Sequence, residues 1–298
     1  MRKNSFFQIQ KMSIGLQLVF FIFSFFIGNS VLFLISLIGL DRSNLDTLAF
    51  MMIGTQLISF LLPAIAFILL LPKKPISFLH FKPISSISNI VWIIILAISC
   101  VFFVSTTSQF LQYLPLGKMA DQLQSQRESM EQLALEMKSM EDLLLRLLIM
   151  AALPAIGEEI FFRGILQRFV HSFWKNAIGA AIITAVIFAL FHGSIYNIIP
   201  ITIAGTILGL VYYYTGNIWY NIILHFIING SQVVFIYLSG SELDFSKSGM
   251  PLKIAIPGFI ISGILITFIM VKLKKNNIAL GKTWVMPYQK NHFYKTIN

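Results

Sequence analysis

The chain has 298 residues, of which 57% are apolar, 14% aromatic and only 11% charged. A soluble domain carries about 25% charged residues, so a soluble globular enzyme and a disordered chain are both excluded. The net charge of +10 resembles a nucleic-acid signal at first sight, but its distribution along the chain points to a membrane and no nucleic-acid partner is expected.

Unbroken apolar runs such as Leu16 to Leu40, Phe50 to Leu71 and Ile90 to Val104 read as spanning helices, because ~20 apolar residues cross a bilayer. A β-barrel would instead alternate in ~10-residue segments. The first run is too long for the core of a cleaved signal peptide and has no small-residue cleavage site, so it counts as a helix. Apolar runs between charged or Pro/Gly-rich breaks predict eight spans, near residues 14–40, 49–71, 90–111, 143–169, 176–195, 198–215, 218–239 and 254–273. The expected fold class is all-α, a polytopic membrane protein of about eight transmembrane helices forming one domain over 1–298.

The loops are short, so lysine and arginine bias sets orientation. With the N-terminus inside, fifteen of the 22 basic residues fall on the cytoplasmic side and ten of the twelve acids on the outer side. Both termini are therefore expected in the cytoplasm, with residues 274–298 as a basic tail attracted to anionic lipid. Cys100, the single cysteine, sits in an apolar run, which leaves no disulfide framework and no thiolate metal site.

The outer loop after the third span is the one sizeable connection. Met119, Leu123, Met130, Leu133, Met137, Met140 and Leu144 recur at helical spacings, predicting an amphipathic helix over 119–142 that runs straight into the fourth span. It reads as an interfacial helix on the bilayer surface; a lid or partner-binding element is the alternative.

Two acids, Glu158 and Glu159, lie inside the fourth span. An ionisable group at membrane depth costs roughly 2.5–3.5 kcal/mol on insertion scales and marks pairing or function. Glu159 and Arg163, at i and i+4, share a face and can pair. Glu158 points away and must find its partner on another helix; the plainer alternative is that both acids only neutralise Arg146 or Arg163. Pro154 and Gly157 one turn earlier can bend the helix and open polar backbone, tolerated in membranes where it lines a cavity.

His80, His171 and His292 fall in predicted loops or the tail, whereas His192 and His225 lie in apolar spans. The fourth and fifth spans form a hairpin, and counting residues from its turn at 1.5 Å each puts Glu158 and His192 at heights about one turn apart. His225, with Asn229 on the same face, enters the seventh span from the same side. These four residues can converge on one cavity, and Gly205-Thr206-Ile207-Leu208-Gly209 permits close helix approach beside it. A carboxylate with imidazoles and an amide donor suits activation of water and stabilisation of an oxyanion. Two histidines and a carboxylate also match the three ligands of an open catalytic zinc, so Glu158, His192 and His225 are the ligand set if a metal is used; a metal-free mechanism is slightly favoured.

Glu158-Glu159-x-x-x-Arg163, Phe188-x-x-x-His192 and His225-x-x-x-Asn229, in that order on successive spans, resemble the CPBP family of intramembrane proteases, which includes the type II CAAX prenyl endopeptidases. The resemblance covers residues 143–229, a catalytic core of under a third of the chain. It implies an endopeptidase in which Glu158 and His192 polarise water, His225 and Asn229 stabilise the oxyanion, and Glu159 with Arg163 holds the first of these helices in place. It implies a membrane peptide or protein substrate, and the Ile-, Phe-, Lys- and Asn-rich composition places the protein in a bacterial plasma membrane. A non-enzymatic bacteriocin-immunity or scaffold protein acting through the 119–142 helix, and a transporter using the same acids as a relay, are the competing readings.

Overall fold

The computed structural model describes residue 9 and residues 12–37, 45–71, 78–84, 87–240 and 250–276. Residues 277–298 of the basic tail, His292, and the loop residues Arg42, Lys73, Lys74, Glu242 and Asp244 lie outside the described residues. Among the described residues all regular structure is helical. The helices are α1 (Ile14–Ser36), α2 (Leu45–Leu69), α3 (Ile87–Gln112), α4 (Lys118–Ala134), α5 (140–174), α6 (Ala177–Phe191), α7 (Ile198–Thr215), α8 (Ile218–Ser239) and α9 (Leu252–Asn276).

Each segment expected to span is helical. Six of them, α1, α2, α3, α7, α8 and α9, are long and apolar enough to cross a membrane, and α6 is a shorter apolar helix. The remaining one, α5, carries Arg146, Glu158, Glu159, Arg163 and Arg168, so its polarity marks it as an interior helix. Large side chains such as Phe23, Phe33, Leu57, Leu69, Ile98, Phe235, Ile264 and Phe268 stand exposed on the outward faces. In water these patches would drive aggregation, and they suit a lipid-facing, multi-pass membrane protein.

The helix ends sort into two sets. At one end the Arg168 guanidinium donates to the Phe78 carbonyl, Tyr212 Oη donates to the Leu79 carbonyl (3.1 Å), and Asn217 Nδ2 donates to the Lys82 carbonyl (3.0 Å). These bonds strap 78–84 across the feet of α5, α7 and α8. His80 in that strap is pushed down to about 4 by burial, then by the cations Arg168 and Lys82. At the other end lie α4, the α6–α7 turn and the start of α9, where Gln109 of α3 donates to the Met250 carbonyl (2.8 Å).

The outer-loop helix departs from expectation. It stops at Ala134, and α5 starts anew after a break at Leu135–Ser139. The cause is a capping box. Ser139 Oγ accepts from the Asp142 amide (3.1 Å) while Asp142 Oδ2 accepts from the amides of Ser139 and Lys138 (2.9 Å each), satisfying the first turn of a new helix. Those amides, Lys138 first, hold the Asp142 carboxyl below the usual carboxylate range.

Two wide, π-helical stretches precede prolines: Thr55–Leu61 before Pro63 in α2, and Leu147–Ala152 before Pro154 in α5. Proline lacks an N–H and clashes with the carbonyl four residues back, and a π-turn absorbs that break without ending the helix. A third such stretch, Glu159–Leu166, begins at the second of the paired glutamates.

Close packing of α6 on α7 frames the polar centre. A Cβ added at Gly205 would lie 2.9 Å from Ala185 Cβ, and one at Gly209 2.9 Å from Ala181 Cβ. With both glycines bare, the backbone comes near enough for Arg163 Nη2 to donate to the Gly205 carbonyl and Gln167 Nε2 to that of Gly209, each at 3.0 Å.

Candidate active site

The centre is built on α5 and α8. Glu159, fully buried, accepts from Arg163 Nη1 at Oε1 (2.8 Å), from His225 Nδ1 at the same oxygen (2.8 Å), and from Asn221 Nδ2 at Oε2 (3.1 Å). Asn221 also donates to the Leu208 carbonyl (2.6 Å). The Arg163 guanidinium lies over the Phe188 ring, 4.7 Å from its centroid. A buried charge persists only when it is paired and hydrogen-bonded.

Because a carboxylate can only accept, the Glu159–His225 contact places the proton on His225 Nδ1 and turns Nε2 the other way. That nitrogen faces Glu158 Oε2 at 3.8 Å, longer than a hydrogen bond. Glu158 itself is 6% exposed. Its Oε1 accepts from Gln56 Nε2 of α2 (2.9 Å), while its buried Oε2 takes no hydrogen bond from the protein. The centre thus holds one carboxylate locked into an ion pair and one with a free oxygen aimed at an oriented imidazole.

His192 closes α6. Its Nδ1 lies 2.9 Å from the Phe188 carbonyl, and its ring packs edge-on against Phe188 at 4.5 Å between centroids. The His225 ring meets the same phenyl at 6.0 Å, and His192 lies within electrostatic reach of Glu158, His225 and Arg127. Phe188 is therefore the common wall of the site. Asn229 is set apart from the others. One turn beyond His225, it donates weakly to the Met150 carbonyl (3.4 Å).

The polar face of α4 packs on the His192 end of α6, the α6–α7 turn and α8. Tyr196 Oη contacts Asp121, Ser194 Oγ donates to Gln124 Oε1 (3.0 Å), the Arg127 guanidinium donates to the His192 carbonyl, and Gln232 Nε2 donates to Glu131 Oε1 (3.0 Å). Met119, Leu123 and Met130 on the other side of α4 are exposed.

The structure thus brings together Glu158, Glu159, Arg163 and His225, sets His192 beside them and leaves Asn229 a turn away. Sequence reasoning missed Gln56, Asn221 and Arg127. Asn221 stands four residues before His225 on the same helix face, a legible signal. Gln56 is an uncharged residue 102 positions from Glu158, and no local pattern points to it. Among the described residues no three His, Cys, Asp or Glu side chains stand in an arrangement that could hold a metal ion. His225 Nδ1 meets Glu159 and His192 Nδ1 meets the Phe188 carbonyl, which leaves Nε2 as the nitrogen of each ring that can bond water, substrate or a metal ion.

Fold and site together define a multi-pass helical membrane protein with a buried glutamate–histidine centre. Residues 140–231, under a third of the chain, match the Rce1-like family model, type II CAAX prenyl endopeptidase Rce1-like. That stretch contains every polar residue of the centre except Gln56 and supports a protease. No curated protein and no solved structure matches the chain.

Proposed function

We propose that the protein is an intramembrane endopeptidase that hydrolyses peptide bonds of membrane-associated substrates, with prenylated CAAX tails as the first class to test. The observation that carries this reading is the pairing of Glu158 Oε2, buried and unbonded, with His225 Nε2 at 3.8 Å. A water bridging two such groups makes good hydrogen bonds to both.

Glu158 takes the proton of the attacking water, with His192 beside it to polarise the nucleophile, and returns that proton to the leaving amine as the C–N bond breaks. His225 is the electrophilic partner. Glu159 fixes the ring at Nδ1, so that Nε2 is turned toward the developing oxyanion. Asn229 adds an amide donor once substrate displaces its weak bond to Met150. Glu159 and Arg163 hold the scaffold by pinning α5 to α7 and α8. The two termini face the cytoplasm and the membrane is bacterial, as the lysine bias and composition suggest.

The test is cleavage of a quenched fluorescent peptide ending in a prenylated CAAX sequence, beside a library of unprenylated membrane peptides. Glu158→Gln and His192→Ala should abolish cleavage while both variants insert and fold. Normal cleavage of a verified substrate by both variants would overturn the reading.

A further inference from the structure

We infer that Gln56, on α2 and outside the family-matched stretch, is a positioning residue for Glu158, fixing the orientation of its carboxylate so that the oxygen left unbonded faces the reacting water. The inference rests on the proposed role of Glu158 as the base.

Phe60 of α2 packs on Phe161 and Phe162 of α5, but the hydrogen-bonding side chains beside Gln56 stay on α2 or turn to α1. Thr55 Oγ1 bonds its own Met51 carbonyl (2.8 Å), and Ser59 Oγ donates to Asn29 Oδ1 of α1 (3.1 Å). Gln56 alone among these neighbours reaches α5, giving Nε2 to Glu158 Oε1 at 2.9 Å. A polar amide in an apolar span is costly unless it meets a partner, and the fold goes out of its way to supply this one. Gln56 sits in the π-helical stretch Thr55–Leu61, where the wider turn shifts side-chain register. Opposite it stands Gly157. A Cβ there would lie 3.3 Å from Gln56 Oε1 and 3.4 Å from the Gln56 carbonyl, so the bare glycine admits the amide beside the carboxylate.

The consequence is asymmetric. With Oε1 tied to Gln56, the Glu158 carboxylate cannot rotate freely, and Oε2 remains as the oxygen 3.8 Å from His225 Nε2. Without the amide, the carboxylate could swing its plane away from His225, and catalysis would lose the alignment that a 1 Å misplacement already spoils.

The experiment measures kcat and KM of purified protein in detergent on whichever peptide the wild type cleaves, alongside thermal stability, for Gln56→Met, Gln56→Asn, Gly157→Ala, Gln56→Ala and the Gly157→Ala/Gln56→Ala pair. Gln56→Met keeps the volume and removes the donor. It should lower kcat by about 10–100-fold, the usual loss on removing an outer hydrogen-bond partner, with KM within about twofold and an unchanged melting point. Gln56→Asn keeps an amide and should recover part of the loss. Gly157→Ala should reduce kcat by crowding the amide, and should cost much less in the Gln56→Ala background, since contact with the amide is then gone. An unchanged kcat in Gln56→Met, or a loss that merely tracks melting point in every variant, overturns the inference. If Glu158→Gln retains activity, the base assignment fails first; if Glu158→Gln is dead and Gln56→Met is normal, only the Gln56 role fails.

Discussion

Breaking the Glu159–Arg163 pair should separate stability from catalysis. Both side chains are fully buried and 2.8 Å apart, and removing one partner of a buried pair costs about 3–5 kcal/mol, because the other charge is stranded. Two independent losses would sum to about 6–10 kcal/mol. Glu159→Met/Arg163→Met strands no charge. It leaves chiefly the Gly205 carbonyl without Arg163 and His225 Nδ1 without Glu159, about 1–3 kcal/mol each. The double variant should therefore lose about 2–6 kcal/mol, clearly less than the sum of its parts. Activity should follow a different order. Arg163→Met keeps the Glu159–His225 bond and should retain measurable turnover. Glu159→Met and the double variant release the imidazole and should lose about 10–100-fold or more. Denaturant titration in micelles gives the first quantity and peptide hydrolysis the second. Additive destabilisation, or recovery of activity in the double variant, would refute the assignment of Glu159 as the group that orients His225.

Gly209→Ala puts a methyl 2.9 Å from both Ala181 Cβ and Gln167 Oε1, and should cost about 1–3 kcal/mol by overpacking; Ala181→Gly in the same chain should return part of it in micelle titrations. Asp142 is held anionic by backbone amides outside the membrane, so its cap is present above the ordinary aspartate pKa and is lost as pH falls through its lowered one. Amide exchange over 140–146 should accelerate in acid in the wild type and be fast and pH-flat in Asp142→Asn once intrinsic exchange is corrected. Bridging Gln124→Cys to Ser194→Cys with a short bis-methanethiosulfonate reagent, in a Cys100→Ala background, should fix α4 against the His192 end of α6 and suppress cleavage until reduction. Unaltered turnover in the bridged form would mean that substrate reaches the centre by another side. Elemental analysis with hydrolysis in chelator checks the acid–base reading: cleavage should survive chelation without bound metal, whereas one zinc lost and regained with activity would make Glu158, His192 and His225 ligands.

The spans were legible because hydrophobic runs long enough for a bilayer obey a constraint with few exceptions, and charges inside them, as at Glu158, Glu159 and Arg163, stand out against it. The i, i+4 pairing of Glu159 with Arg163 was readable for the same reason. The break before α5 was also written in the chain, as Ser139 and Asp142 at capping spacing, but the apolar stripe from Met119 to Leu144 ran across it and periodicity masked the cap. The π-helical turns were not legible. Pro63 and Pro154 announce a disturbance, and nothing local says whether the helix kinks, ends or widens.

What escaped the sequence follows one logic. The histidines and acids of α5, α6 and α8 advertise themselves by being polar where polarity is costly, whereas the groups that act on them are ordinary residues made important by tertiary approach. Gln56 matters because Gly157 lets α2 come close, and Arg127 because α4 folds its polar face onto the His192 carbonyl. Both lie outside residues 140–231, the stretch that matches the Rce1-like family. Proton transfer would then reside in the matched stretch, while alignment of the base and access to it would rest on elements the rest of the chain supplies. Exchanging α4 for an unrelated capped amphipathic helix should accordingly change which peptides are cut far more than how fast an accepted one is hydrolysed, and a swap that alters kcat equally for every peptide would place α4 in the chemistry instead.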